Sequence, residues 1–249
     1  MLGIVLQARL GSTRLPKKMV LPFYNQKSVL EILLKKIKSR FNDIPIIVAT
    51  TSNPLDEAIF KLCENLEIEC YRGSEDNVLQ RFIDVGNKYN LDKLIRVCAD
   101  NPFLNINDLS NLINEFNELD VDYYSYSLKD GTPVIRTHYG FWAEGVKLSA
   151  LKEIKNQTEE SFYKEHVTNF IYERSNFFDV KLKQIDPKIE EYSNIRLTLD
   201  THEDFNLLKE IYSKFNFDKD YSILNLLDWI SQNKLWLTQM LTQIKRNSK

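Results

Sequence analysis

Apolar and polar positions come in blocks along the first half of the chain. Short apolar runs of strand length alternate with longer stretches in which apolar residues recur every three or four positions. The runs at 2–8, 45–50, 68–71 and 93–98 predict strands, the first of them apolar enough to be buried, and the stretches following them, at 28–39, 54–66, 74–89 and 107–116, predict helices. Ser28 with Glu31 reads as a capping box, Asn53-Pro54 as a cap followed by a first-turn proline, and Ser74 as the cap of the third helix. This βαβα rhythm predicts an α/β fold, a mainly parallel sheet with helices on both faces.

The second half is less regular. A strand is expected at 122–127, and Gly131–Pro133 and Gly140–Glu144 punctuate antiparallel strands or an extended arm. A long helix is expected at 159–173, strands at 177–185 and 195–199, helices at 201–215 and 221–231, and then a shorter helical tail. The Lys-, Arg- and Asn-rich last residues are expected to fray. There is no internal repeat and no linker-like stretch, so one domain is expected over residues 1–249.

Charge narrows the function. With 33 Lys and Arg against 35 Asp and Glu, the net charge of −2 disfavours a nucleic-acid partner, which calls for a broad basic excess. Cys63, Cys70 and Cys98 are odd in number and form no Cys-x-x-Cys pair, so they read as buried thiols of a cytoplasmic protein rather than a disulfide framework or zinc site. The N-terminus enters the first strand directly, and no apolar run reaches the length of a membrane span, so no membrane insertion is expected.

The basic charge is local. After the first apolar run the chain places Arg9, Arg14, Lys17 and Lys18 in one loop with Gly11, Ser12 and Thr13. Arginine forks match phosphate oxygens bidentately, lysine follows a moving phosphate, and glycine lets the backbone approach, so the loop suits a polyphosphate. A merely solvated basic loop is the alternative. Other polar residues fall at the predicted strand ends, where open α/β sheets bind ligands: Thr50 and Thr51, Arg72 and Gly73, Asp100, and Asp200. Asp100 and Asp200 suit Mg²⁺, which takes few protein ligands and completes its octahedron with water and phosphate; alone, each could equally be a cap or turn carboxylate. Asp204, three residues after Thr201, fits the first-turn partner of a capping residue.

The segment Ala8-Arg9-Leu10-Gly11-Ser12-Thr13-Arg14-Leu15-Pro16-Lys17-Lys18 resembles the N-terminal signature of the cytidylyltransferases that activate acidic sugars, the CMP-sialate and CMP-Kdo synthetases, and more closely their SpsF-like relatives. Lys17 stands where that family usually has glycine. Asp100 before Asn101-Pro102, and Asp200 in Leu199-Asp200-Thr201-His202-Glu203-Asp204, match the family's two metal-holding aspartates. Arg72–Arg81 and Glu165-His166-Val167-Thr168 resemble further SpsF-like segments.

The resemblance implies a three-layer, Rossmann-like nucleotide-diphospho-sugar transferase fold with a projecting antiparallel arm. It implies a nucleotide-binding half at 1–119, a sugar-binding and pairing region at 120–186, and a metal-site segment with C-terminal helices at 187–249. CTP and sugar contacts fall on Ala8, Arg9, Gly11, Ser12, Arg14, Lys18, Thr50, Asp76, Arg81 and His166. Of these, Asp76 and Arg81 could equally face solvent, and His166 could be a packing residue. Catalysis falls on Arg9, Lys18, Asp100 and Asp200, with Mg²⁺ on the two aspartates. The implied reaction moves CMP from CTP to an acidic sugar or sugar phosphate for surface polysaccharide synthesis, in a homodimer. A nucleotide-sugar glycosyltransferase of similar fold and a non-catalytic nucleotide-binding subunit are the rival readings. Tyr123, Tyr124, Tyr126, Tyr139, Phe141 and Trp142 line a sugar pocket, stack between subunits, or form core.

Overall fold

The computed structural model describes residues 1–215, 217 and 221–247. Among these, strands β1 (Leu2–Gln7), β2 (Ile46–Thr51), β3 (Glu69–Gly73), β4 (Lys93–Cys98), β5 (Tyr123–Ser127), β6 (Glu144–Lys147) and β7 (Val180–Gln184) form one sheet in the order β3-β2-β1-β4-β6-β5-β7. All neighbours are parallel except around β6, which runs antiparallel to β4 and β5.

Side chains of β1 alternate between two cores: Ile4 and Leu6 enter one, Val5 the other. The first core is closed by α1 (Val29–Arg40), α2 (Glu57–Asn65), α4 (Ile106–Glu118), α9 (His202–Lys214), α10 (Ile223–Ser231) and α11 (Lys234–Arg246). The second is closed by α3 (Val78–Lys88), α5 (Leu148–Gln157) and α7 (Asn169–Glu173). Together they make the three layers expected from the sequence. Helix α4 reaches β6 only because position 145 is glycine: a Cβ there would lie 2.5 Å from the Phe116 ring.

In the first half each helix begins at or just after a local cap. Ser28 Oγ accepts from Glu31 N at 3.2 Å, and Asn53 Oδ1 accepts from Leu55 N at 2.9 Å ahead of a 3₁₀ turn at Pro54–Asp56 that leads into α2. Ser74 does not cap α3. Residues 74–77 form a turn, and Asn77 is the cap, its side chain accepting from Gln80 N at 2.9 Å.

The second half departs further. The expected helix at 159–173 is two short ones, α6 (Ser161–Glu165) and α7, because His166 leaves helical geometry and Thr168 is drawn inward to hydrogen-bond Glu144. The expected strand at 195–199 is an extended strap: its N–H groups go to Tyr192 O, Met240 Sδ, His138 O and Asp100 O, four unconnected partners that cannot make a ladder. Helix α5 follows β6 directly, with Lys147 as its cap residue and no side-chain cap to announce it. A short helix, α8 (Pro187–Glu190), follows β7.

The aromatic residues Tyr123, Tyr124, Tyr126, Tyr139, Phe141 and Trp142 are all buried, and Tyr126 and Trp142 also line a pocket shared with Asp108, Lys183 and Tyr221. Cys63 is buried, whereas Cys70 and Cys98 are partly exposed. The tail is not short: α11 anchors Trp236 and Met240 in the core, and of the residues expected to fray, Ser248 and Lys249 lie outside the described residues.

Candidate active site

The parallel order β3-β2-β1-β4 brings the carboxyl ends of four strands to one rim, and the loop after β1 runs along it. Three of its cations each precede a buried apolar side chain: Arg9-Leu10, Arg14-Leu15 and Lys18-Met19. Leu10, Leu15 and Met19 sink into the core, so the charged heads are presented from a pinned backbone. Buried Asp56, from the corner after β2, fixes the loop by accepting Leu10 N at 2.7 Å, Thr51 N at 3.2 Å and the Thr51 hydroxyl. Ser12 Oγ accepts from Leu15 N at 3.4 Å. Lys17 has φ of +61°, the left-handed conformation that glycine adopts without cost, and its N–H still closes the loop on Leu10 O at 3.1 Å. The exposed lysine therefore preserves the turn.

The expected cations and carboxylates do converge. Lys18 Nζ lies 3.2 Å from Asp100 Oδ2, 3.9 Å from Asp200 Oδ1 and 2.7 Å from Leu199 O. Arg14 Nη2 donates to Asp200 Oδ1 at 2.7 Å and its Nη1 to Asn247 Oδ1 at 3.1 Å. The two aspartates come together although Asp200 ends no strand: Leu199 N donates to Asp100 O at 2.9 Å, tying the strap to the end of β4.

Behind Asp200 stands a residue that the sequence reading did not single out. Arg196 is completely buried and donates from Nη2 to Asp200 Oδ2 at 2.6 Å, and from Nε and Nη2 to Asp204 at 2.9 and 3.1 Å. Its Nη1 donates to His138 Nδ1 at 2.7 Å; a guanidinium only donates, so that ring nitrogen is the acceptor. Burial works against the Arg196 charge, but the hydrogen bonds and charges of Asp204 and Asp200 outweigh it and hold its pKa above the ordinary value. Asp204 completes the expected capping box with Thr201 and also takes the backbone N–H of Asp200 at 3.0 Å.

Arg9 is set apart from this group. It reaches Glu165 Oε1 of α6 at 2.9 Å and Glu75 O at 3.5 Å. Gly11 opens onto the same side, where an added Cβ would lie 3.3 Å from Glu75 Oε1. Arg81 is fully buried below the 74–77 turn. Its Nη1 donates to Ser74 O at 2.9 Å while Nε and Nη2 find no partner among the described residues, and burial together with the neighbouring Arg9 lowers its pKa to about 10.

The remaining expected contacts are less favourably placed. Ala8 and Thr50 are buried, the Thr50 hydroxyl without a partner among the described residues. Asp76 is exposed on the turn. His166 is exposed beside the Phe162 ring at 4.8 Å, and it is the preceding Glu165 that reaches the loop. Arg72 is spent on structure, bonding Thr51 O, Asn53 O and Glu57.

A second polar cluster lies inside the sheet. Arg96 on β4 donates to Glu144 on β6 and, at 3.2 Å, to Gln7 on β1; Glu144 also accepts from Tyr123 and Thr168.

The model of the cytidylyltransferase family matches residues 3–240. The chain is 34% identical over 232 residues to an uncharacterised protein of Methanocaldococcus jannaschii, covering 92% of this chain and 90% of that protein. It is 30% identical over 237 residues to the spore coat polysaccharide biosynthesis protein SpsF of Bacillus subtilis, covering 92% and 93%. Among solved structures, a cytidylyltransferase from Leptospira borgpetersenii superposes with a TM-score of 0.82 at 26% identity, over 95% of this chain and 96% of that one. Matched by the family model along nearly its whole length and by SpsF at 30% identity, the chain belongs to the cytidylyltransferase family.

Proposed function

We propose that the protein transfers a cytidylyl group from CTP to an oxygen of an acidic sugar or sugar phosphate, with release of pyrophosphate, in the synthesis of a surface glycan. The observation that carries this reading is the place of Lys18, whose single ammonium lies within 4 Å of oxygens on both Asp100 and Asp200. One cation thus reaches both carboxylates, which is the donor set that a Mg²⁺ ion sharing its shell with phosphate requires. Asp100 and Asp200 would hold that ion, which would supply charge neutralisation and polarisation at the reacting phosphate.

The side chains of the loop bind and neutralise the triphosphate. As the bond from the acceptor oxygen to the α-phosphorus forms and the bond to the β-phosphate oxygen breaks, charge grows on pyrophosphate. Arg14 and Lys18 are placed to stabilise it, and the fixed backbone between Leu10 and Met19 keeps them in position beforehand. Arg9, between the loop and α6, faces the other end of the site.

A thermal-shift panel of the four nucleoside triphosphates, each with and without Mg²⁺, tests the nucleotide. CTP with Mg²⁺ at about 100 times its Kd should add about 2.7 kcal/mol of stability, the largest shift of the panel. Pyrophosphate release from CTP with a set of sugar acids tests the reaction, and Asp100→Asn should reduce it at least about a hundred-fold with melting unchanged. Full activity of that variant, or consumption of a preformed nucleotide sugar in place of CTP, would overturn the proposal.

A further inference from the structure

The two oxygens of Asp200 are held in unlike ways. Oδ2 faces Arg196, whose side chain is wholly buried and whose guanidinium is also committed to Asp204 and His138. Asp204 in turn holds the backbone N–H of Asp200 and Thr201 at 3.0 and 2.9 Å, so Arg196 and the aspartate it orients belong to one closed frame. Oδ1 faces the crevice, where it meets Arg14, whose side chain is 51% exposed, at 2.7 Å and Lys18 at 3.9 Å. An interior guanidinium with every edge bonded stays where it is, whereas a half-exposed one on a surface loop exchanges partners with little penalty.

We infer that Asp200 is divided between two arginines with opposite tasks: Arg196 is a positioning residue that fixes Oδ2, and Arg14 is a placeholder on Oδ1 that gives way to the metal when a phosphate chain takes its guanidinium. This rests on the reading of Asp200 as a metal ligand. It makes anion and cation binding mutually supportive, because the phosphate that recruits Arg14 frees the carboxylate oxygen that the metal needs.

The two roles predict opposite signs. Removing a positive charge beside a cation site ordinarily tightens cation binding, and that is the whole effect expected at Arg14. At Arg196 the charge can be kept while the fork is lost, and loss of orientation should then weaken binding. The experiment is a titration of the nucleotide-free, full-length protein with Mn²⁺ alone, following the signal of the free ion by electron paramagnetic resonance, with the melting temperature of each variant as a check on folding.

Arg14→Gln should bind Mn²⁺ about three-fold more tightly, the scale of an exposed ion pair. Arg196→Lys should bind it at least about ten-fold more weakly, as for other groups that orient a metal ligand. Should Arg196→Lys fail to fold, Asp204→Asn loosens the same frame from its other end and should weaken binding likewise. Unchanged or weaker binding in Arg14→Gln overturns the placeholder, and unchanged binding in a folded Arg196→Lys or Asp204→Asn overturns the positioning role. If Asp200→Asn binds Mn²⁺ as tightly as the parent protein, the metal-ligand reading itself falls, whatever Arg14→Gln does.

Discussion

Two sets of ion pairs, one on the rim and one inside the sheet, are built from the same residue types and behave differently because of where they lie. On the rim, the side chains of Arg14 and Asp200 are 51% and 9% exposed, and those of Lys18 and Asp100 are 12% and 33% exposed. Inside the sheet, those of Arg96 and Glu144 are 8% and 1% exposed, and the Glu144 carboxylate is also held by Tyr123 and Thr168. Water can replace a partner at the rim, so those pairs cost little to break and can be traded for a ligand's charges. Nothing can replace a partner inside, so the interior cluster ties β4, β5 and β6 to the residue that precedes α7 and does not take part in exchange.

The sharpest way to break this contrast is Glu144→Gln. The substitution keeps the shape of the side chain but leaves the Arg96 charge buried without a counter-charge, which should cost about 3–5 kcal/mol. For a chain of this size that corresponds to a fall in melting temperature of roughly 10 °C, read by calorimetry. A change of less than about 1 kcal/mol would mean that water or another group reaches Arg96, and the distinction between interior and rim would fail.

Asp56→Ala separates pinning from exchange. The carboxylate supports the loop through Leu10 N and the β2 corner through Thr51, all buried, so its loss leaves donors unsatisfied. Stability should fall by about 2 kcal/mol. Because the cations would then be presented from a loosened backbone, the KM for nucleotide should rise several-fold on top of that loss. A stability loss with unchanged KM would show that the anchors Leu10, Leu15 and Met19 suffice to hold the loop.

The parts of this architecture that the sequence discloses are those whose causes are local. Strands β1, β2 and β4 are largely apolar, the helices after β1 to β4 have caps within a few residues, and the rim follows from the parallel order of these strands. The strap at 195–199 reads as a strand because apolar Ile195, Leu197 and Leu199 alternate with polar Arg196 and Thr198, although all five are buried, and only the partners of its N–H groups reveal that no ladder exists. Asp56 looks like an ordinary first-turn carboxylate because the loop N–H it serves is 46 positions away. Arg196 is hidden for the complementary reason: its carboxylates are close in sequence, four and eight residues on, but its burial comes from the packing of 138 and α11 around the strap. One signal was available locally, the repeated pairing of a cation with an apolar anchor at 9–10, 14–15 and 18–19, and it distinguishes this loop from a solvated basic one.

The smallest expected effect belongs to Lys17, and it tests whether the loop's charge is placed or merely present. At φ of +61° a lysine costs about 1 kcal/mol relative to glycine, yet glycine loses roughly 0.5–1 kcal/mol more in chain entropy on folding, so the two contributions nearly cancel in Lys17→Gly. The melting temperature should therefore shift by no more than about 2 °C. What remains is the charge itself. Lys17 is exposed, and its backbone, not its side chain, closes the turn through Leu10 O and Val20 N. If only the cations fixed by a buried neighbour act on the triphosphate, the KM for nucleotide and the rate of pyrophosphate release should stay within about two-fold of the parent protein. A KM raised about ten-fold with the fold intact would show instead that an unanchored cation on this rim contributes as much as an anchored one, and the contrast between pinned and freely exposed charge would have to be redrawn.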